Sequence, residues 1–183
     1  MKPFINNISR MLHGLIWMAV LSGLIIILIV VINWLPSQIQ QNTALQYTNL
    51  ESARRSLGID KILVPVYMPE GISWPPSLIV AQKKPFLAVV MEFKSQKTGE
   101  TQLFIIQSSS RDAEERFQKV SFSDLKEETE YILKGKKAVL RVGFCGEEIE
   151  CSKMIWEDSG MYYSVFLMSS SFNLIQISES MIR

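Results

Sequence analysis

Cys145 and Cys151 are the side chains of this chain best suited to chemistry. They bracket Gly146-Glu147-Glu148-Ile149-Glu150, a polar turn. In an oxidising compartment, two cysteines so placed close a hairpin with a disulfide. A redox pair or half of a metal site would call for Cys-x-x-Cys spacing or further His and Cys ligands. Neither accompanies them, and a structural disulfide is the favoured reading. His13 is the only histidine and precedes the long apolar run. No histidine triad, histidine metal site or histidine general base can therefore be built beyond it. Gly-x-Ser-x-Gly, Walker and dinucleotide-binding patterns are missing. Asp112, Glu114 and Glu115, then Glu127, Glu128 and Glu130, then Glu147, Glu148 and Glu150 cluster along the chain. Solvated loops explain these acids more simply than paired acid/base catalysis. The sequence thus points to no catalytic residue, no metal ligand and no cofactor, and the chain reads as a non-enzyme.

A second group suggests binding. Tyr67, Met68, Trp74 and Phe86 gather around prolines, with Glu70 among them. Aromatic residues and methionine make adaptable apolar docking surfaces. Packing of an irregular strand against the core is the simpler account. Pro65, Pro69 and Gly71 predict a segment that keeps its shape without regular hydrogen bonding, with Tyr67 or Met68 as a buried plug and Gly71 at positive φ. Glu70 is expected to face water.

The elements that would carry these groups follow from periodicity. Leu45, Leu50, Ala53 and Leu57 predict an amphipathic helix over residues 43–57, capped by Asn42 or Thr43 and stopped by Gly58. Strand character marks residues 78–82, 86–93, 102–107, 129–133, 138–142, 154–156 and 162–168, with turn signals between most of them. Residues 110–128 read as a charged excursion with a short helical piece. A last amphipathic helix is expected over 171–182, with Phe172, Ile175 and Ile182 on one face. The expected fold class is α+β, a mostly antiparallel sheet flanked by an N-terminal and a C-terminal helix.

Ahead of this lies an expected transmembrane helix. Residues 15–35 carry no charge. At about 1.5 Å per residue they would reach roughly 30 Å, a hydrocarbon thickness. Trp17 and Trp34 would anchor its two ends at the membrane interfaces. A cleaved signal peptide would be shorter and end in a small-x-small site, which Ile32-Asn33-Trp34-Leu35-Pro36 does not offer. Lys2 and Arg10 precede the run, and the next basic residues are Arg54 and Arg55. The positive-inside rule then predicts residues 1–14 as a cytoplasmic tail, 15–35 as a single span of the cell (inner) membrane, 36–42 as a connector and 43–183 as a periplasmic or extracellular domain. The chain's formal net charge is +1. With both early bases set aside, the outer part is close to neutral and holds no basic block, which excludes nucleic acid as an expected partner.

Three stretches resemble a bacterial extracytoplasmic domain family of unknown function with a P-x-Y-L-P-E-G-Y type motif. They are Pro65-Val66-Tyr67-Met68-Pro69-Glu70-Gly71, Trp156-Glu157-Asp158-Ser159-Gly160-Met161-Tyr162-Tyr163 and Ile177-Ser178-Glu179-Ser180. The chain departs from that pattern with Met68 for Leu, Ile72 for an aromatic residue and Ser178 for Ala. The layout is similar to the C-terminal part of RseB/MucB-type regulators of envelope-stress anti-sigma factors. The resemblance implies a domain that binds another protein or senses an envelope condition. The preferred expectation is a membrane-anchored, non-enzymatic protein-binding domain with a regulatory, sensory or assembly role. A binder or carrier of an apolar ligand such as a lipid is one alternative. An accessory subunit of a larger membrane complex, bound through its anchor helix, is the other. A filled interior would favour the first reading, and an apolar cavity between sheet and helices the second.

Overall fold

The computed structural model describes residues 17–31, 44–146 and 148–182. The chain divides into two units, Met1–Asn42 and Thr43–Arg183. Of the first unit, residues 17–31 form a helix, α1. Its large apolar side chains are exposed all round, Trp17 among them at 70%. The expected transmembrane span over 15–35 is overturned here. Among the described residues, no helix is long and apolar enough to cross a membrane. Its described part has fifteen residues, about 22 Å at 1.5 Å per residue, against the roughly 30 Å that a span must cover. Trp34 lies outside the described residues.

The second unit is an eight-stranded antiparallel sheet with helices. The expected helix over 43–57 divides in two. Leu45–Tyr47 form a short strand, β1, and Leu50–Leu57 form α2. Asn49 is the reason: its side chain accepts from the Ser52 N–H at 2.8 Å, which starts the helix there rather than at Asn42 or Thr43. Gly58 ends α2 in the left-handed conformation at φ 68°, as a C-terminal glycine does. The chain then forms β2 (Leu78–Gln82), β3 (Ala88–Lys94), β4 (Thr101–Ser108), the short helix α3 (Asp112–Phe117), β5 (Asp124–Leu133), β6 (Lys136–Phe144), β7 (Glu150–Asp158), β8 (Met161–Leu167) and α4 (Ser171–Met181). Strand order is β1-β2-β3-β4-β8-β7-β6-β5. Two meanders, β1 to β4 and β5 to β8, therefore meet along β4 and β8.

Alternation along each strand gives the sheet two faces. The inner face carries Met91, Phe93, Leu103, Ile105, Met154, Val165 and Leu167, all fully buried. Ala53 and Leu57 of α2 and Leu174, Ile177 and Met181 of α4 pack onto it in one core. The spacing 174, 177, 181 selects the buried face of α4, and Phe172, expected there, is 67% exposed. The outer face carries Ala88, Val90, Phe104, Ile106, Cys151 and Phe166, covered by Ala113 of α3 and by Phe117, Val120 and Phe122 beyond it.

The Pro65–Gly71 stretch lies over the inner core. Pro65 is buried and Met68 half-buried. Tyr67 stays 40% exposed, so Met68 and not Tyr67 is the plug. The Val66 N–H donates to Ser180 Oγ of α4 at 3.1 Å. Upstream, Gln107 on β4 clamps Leu63 from both sides: its carbonyl accepts the Leu63 N–H at 2.9 Å, and its amide donates to the Leu63 carbonyl. Gly71 has φ 88° with open space where a Cβ would stand. Gly143 differs: a Cβ there would collide with the Asp124 carbonyl oxygen, under Phe122.

We expect Gly71→Val to lower stability by about 1–3 kcal/mol through backbone strain alone. Gly143→Ala should cost at least as much, because backbone has to move. Exposed Glu70→Ala should fall within about 0.5 kcal/mol of the parent. Thermal melts of the three variants check this, and a neutral Gly71→Val would overturn the backbone argument.

Candidate functional site

The outer sheet face is only half covered. Strand register sets its side chains in rows that run across the strands. One row reads Glu128, Arg141, Lys153, Phe166, Phe104, Glu92. The next reads Glu130, Val139, Ile155, Ser164, Ile106, Val90. The β3, β4 and β8 ends of both rows lie under α3 and the segment that follows it. The β5, β6 and β7 ends form the floor of an open cleft of about 990 Å³, with Arg111, Glu114, Glu115 and Gln118 as its wall. Ile132 is 64% exposed at its margin.

A buried polar cluster fixes the wall to the floor. Lys153 is 3% exposed. Its ammonium donates to Gln118 Oε1 at 2.6 Å and pairs with the Glu114 carboxylate. The second oxygen of Glu114 accepts the Tyr162 hydroxyl. One acid on α3 thus joins β7 and β8. Burial pushes the Lys153 ammonium down to about 8, and burial raises the Tyr162 phenol while Arg111 and Arg141 oppose that. Alongside, Glu92 pairs with Lys119 at 2.5 Å, and Arg111 reaches Glu157 at 3.3 Å and lies over the Tyr162 ring. On the floor, Arg141 pairs with Glu128 at 2.6 Å. Lys136 pairs with Asp158 at 2.7 Å and holds that carboxyl below its ordinary value.

The residues singled out by sequence lie elsewhere. Tyr67, Met68, Glu70 and Trp74 sit on the inner-face side of the sheet. Trp74 is 53% exposed yet stacks on buried Phe93 at 5.8 Å. Cys145 and Cys151 close the loop between β6 and β7 with Cα atoms 5.9 Å apart, a disulfide-compatible separation. They join the outer-face core below Phe122 and Phe166. Ser123 and Lys126 stand at Ser-x-x-Lys spacing, but Ser123 Oγ donates to backbone carbonyls of Phe144 and Gly146 and Lys126 pairs with Asp124. Among the described residues, no group of three or more metal-ligating side chains converges.

Sequence reasoning missed the Lys153–Glu114–Tyr162 cluster. Glu114 was expected in a solvated loop and is instead bonded twice. The available signal was Lys153 itself, a lysine inside the apolar run Cys151-Ser152-Lys153-Met154-Ile155-Trp156. A lysine is rarely buried unless paired, so one there asks for an acid from another element.

No family model matches the chain, and no curated protein or solved structure matches it.

The Lys153 ammonium should titrate near pH 8 rather than the ordinary 10.5, read by NMR of labelled lysine. Its folded value lies below its unfolded one, so the unfolded chain holds more protons between the two. This group therefore raises stability as pH climbs from about 8 towards about 10.4. Glu114→Gln removes the opposing charge, should lower the Lys153 value further, and should cost about 1–3 kcal/mol. An unchanged titration in that variant would refute the pairing.

Proposed function

We propose that the Thr43–Arg183 unit is a non-enzymatic, extracytoplasmic protein-binding domain with a regulatory, sensory or assembly role, and that the outer-face cleft is where the partner docks. One observation carries this reading. The side chains between sheet and inner helices are closed off from water, with Met91, Phe93, Leu103, Ile105, Leu174, Ile177 and Met181 each at 1% exposure or less. The large recess lies instead on the open outer face and mixes Ile132, Val139 and Ile155 with Arg111, Lys137 and Glu157. A lipid carrier needs an enclosed apolar volume, whereas a protein interface tolerates an open floor with a charged rim. The resemblance to RseB/MucB-type regulators points the same way, and a disulfide-compatible pair suits an oxidising compartment.

The test is a photo-crosslinker placed at Lys137 in the full chain, in its native cell. A partner protein recovered with the parent and lost with Val139→Arg, at unchanged melting temperature, is the expected outcome. Identical recovery with both would remove the cleft from partner binding.

The compartment makes its own prediction. The mature protein should run as an oxidised species with no free thiol by nonreducing mass spectrometry. The closed loop is short, so Cys145→Ser with Cys151→Ser should cost about 2 kcal/mol. Two free thiols in protein taken from the cell would count against an extracytoplasmic site.

A further inference from the structure

Strand β5 is the far edge of the sheet and bonds to β6 alone. The β5–β6 hairpin turns through Lys134 and Gly135, both at positive φ. In a two-residue turn the flanking pair Leu133–Lys136 exchanges both hydrogen bonds, and bonded and non-bonded pairs then alternate. Ile132–Lys137, Glu130–Val139 and Glu128–Arg141 are the non-bonded pairs in this register. The backbone N–H and C=O groups of Glu128, Glu130 and Ile132 therefore point away from the sheet. Residues 124–130 are exposed without a break. From residue 127 to 133 the edge has no proline, glycine, lysine or bulge, the devices that usually blunt an edge.

Lys126 and a register shift at Leu125–Glu127 blunt only the start of β5, and the edge otherwise carries acid: Asp124, Glu127, Glu128 and Glu130. Asp124 is paired with Lys126 and Glu128 with Arg141, and Glu127 and Glu130 have no ion pair among the described residues. Self-pairing of two β5 edges would set glutamates against glutamates and is disfavoured, since like charges directly opposite repel. The same acids select a basic strand.

Building on the docking role argued above, we propose that β5 takes an extended, lysine- or arginine-bearing segment of a partner protein as a ninth strand. The outer-face rows extend into that strand. Positions beside Glu128 and Glu130 take lysine or arginine, and the position beside Ile132 takes an apolar side chain that reaches the cleft margin. Backbone pairing supplies the attachment and the alternate side chains the selectivity.

The test titrates the full chain with a capped heptapeptide that alternates threonine with two lysines and an isoleucine, and with the same peptide bearing glutamate for lysine. Binding is followed by calorimetry and by amide hydrogen exchange. The lysine peptide should bind about tenfold or more tightly than its acidic counterpart, lose affinity with salt, and slow exchange at Glu128, Glu130 and Ile132. Glu130→Pro removes an edge N–H that no ladder bond uses and should abolish binding. Glu130→Lys keeps the backbone donor and should erase the lysine preference. No binding, equal binding of both peptides, or protection away from β5 overturns the proposal. If a partner protein crosslinks at the cleft while Glu130→Pro leaves its recovery unchanged, docking stands and strand addition falls.

Discussion

The pairing of β4 with β8 is the contact on which the rest of the unit depends. Each meander alone is four strands with half a core. Joined, they place Leu103, Ile105, Val165 and Leu167 side by side with no exposure. The partners are about sixty residues apart, so the loop-closure entropy is substantial and is offset only when the shared core forms. The joined sheet then sets a geometric limit. Eight strands at about 4.8 Å are roughly 34 Å across. Helices α2 and α4 serve the inner face from both meanders. On the outer face α3 has six residues, about 9 Å of helix, and its trailing segment reaches only to Phe122. Within this unit, the outer ends of β5, β6 and β7 lie beyond the reach of that segment and stay open.

Much of the sheet was legible in the sequence because its strands alternate or run apolar between turn residues. The strand at Leu78–Gln82 was read to the residue, and others differed by a few positions at each end. The largest extension at one end was in β5, found from Asp124 where only 129–133 looked like strand. Its first residues, Asp124-Leu125-Lys126-Glu127-Glu128, are charged because they are an exposed edge, and edge strands lack the apolar signal that marks buried ones. The first helix was misread for a related reason. Leu45 and Leu50 fit a helical spacing by accident, while Asn49 decides the boundary through a local hydrogen bond that periodicity does not see.

The site was less legible than the fold. The aromatic, proline-rich stretch drew attention by composition, yet its role is to seal the inner core against α4. The cleft is built from residues that look ordinary singly. Glu114, Lys153 and Tyr162 come from three elements, and only strand register brings them together. Composition reports what a residue is, whereas a cleft on a sheet face depends on which rows of the sheet go uncovered.

An uncovered sheet face is also a hazard, and the arrangement of charge shows how this one is contained. Val139 and Ile155 are half-buried neighbours, but Glu130 ends their row at the β5 edge, and Arg141 and Lys137 flank Val139 along β6. No apolar run on the floor is longer than two side chains across the strands before a charged or polar side chain interrupts it. Such a surface offers too little contiguous apolar area for indiscriminate collapse. Arg141 is already paired with Glu128, and Arg111 with Glu157, so an incoming surface must supply charges in the right places or leave these groups dehydrated and badly matched. Specificity thus arises from the same register that leaves the face open: the row that puts Val139 beside Ile155 also puts Glu130 at one end of the contact and Ser164 at the other.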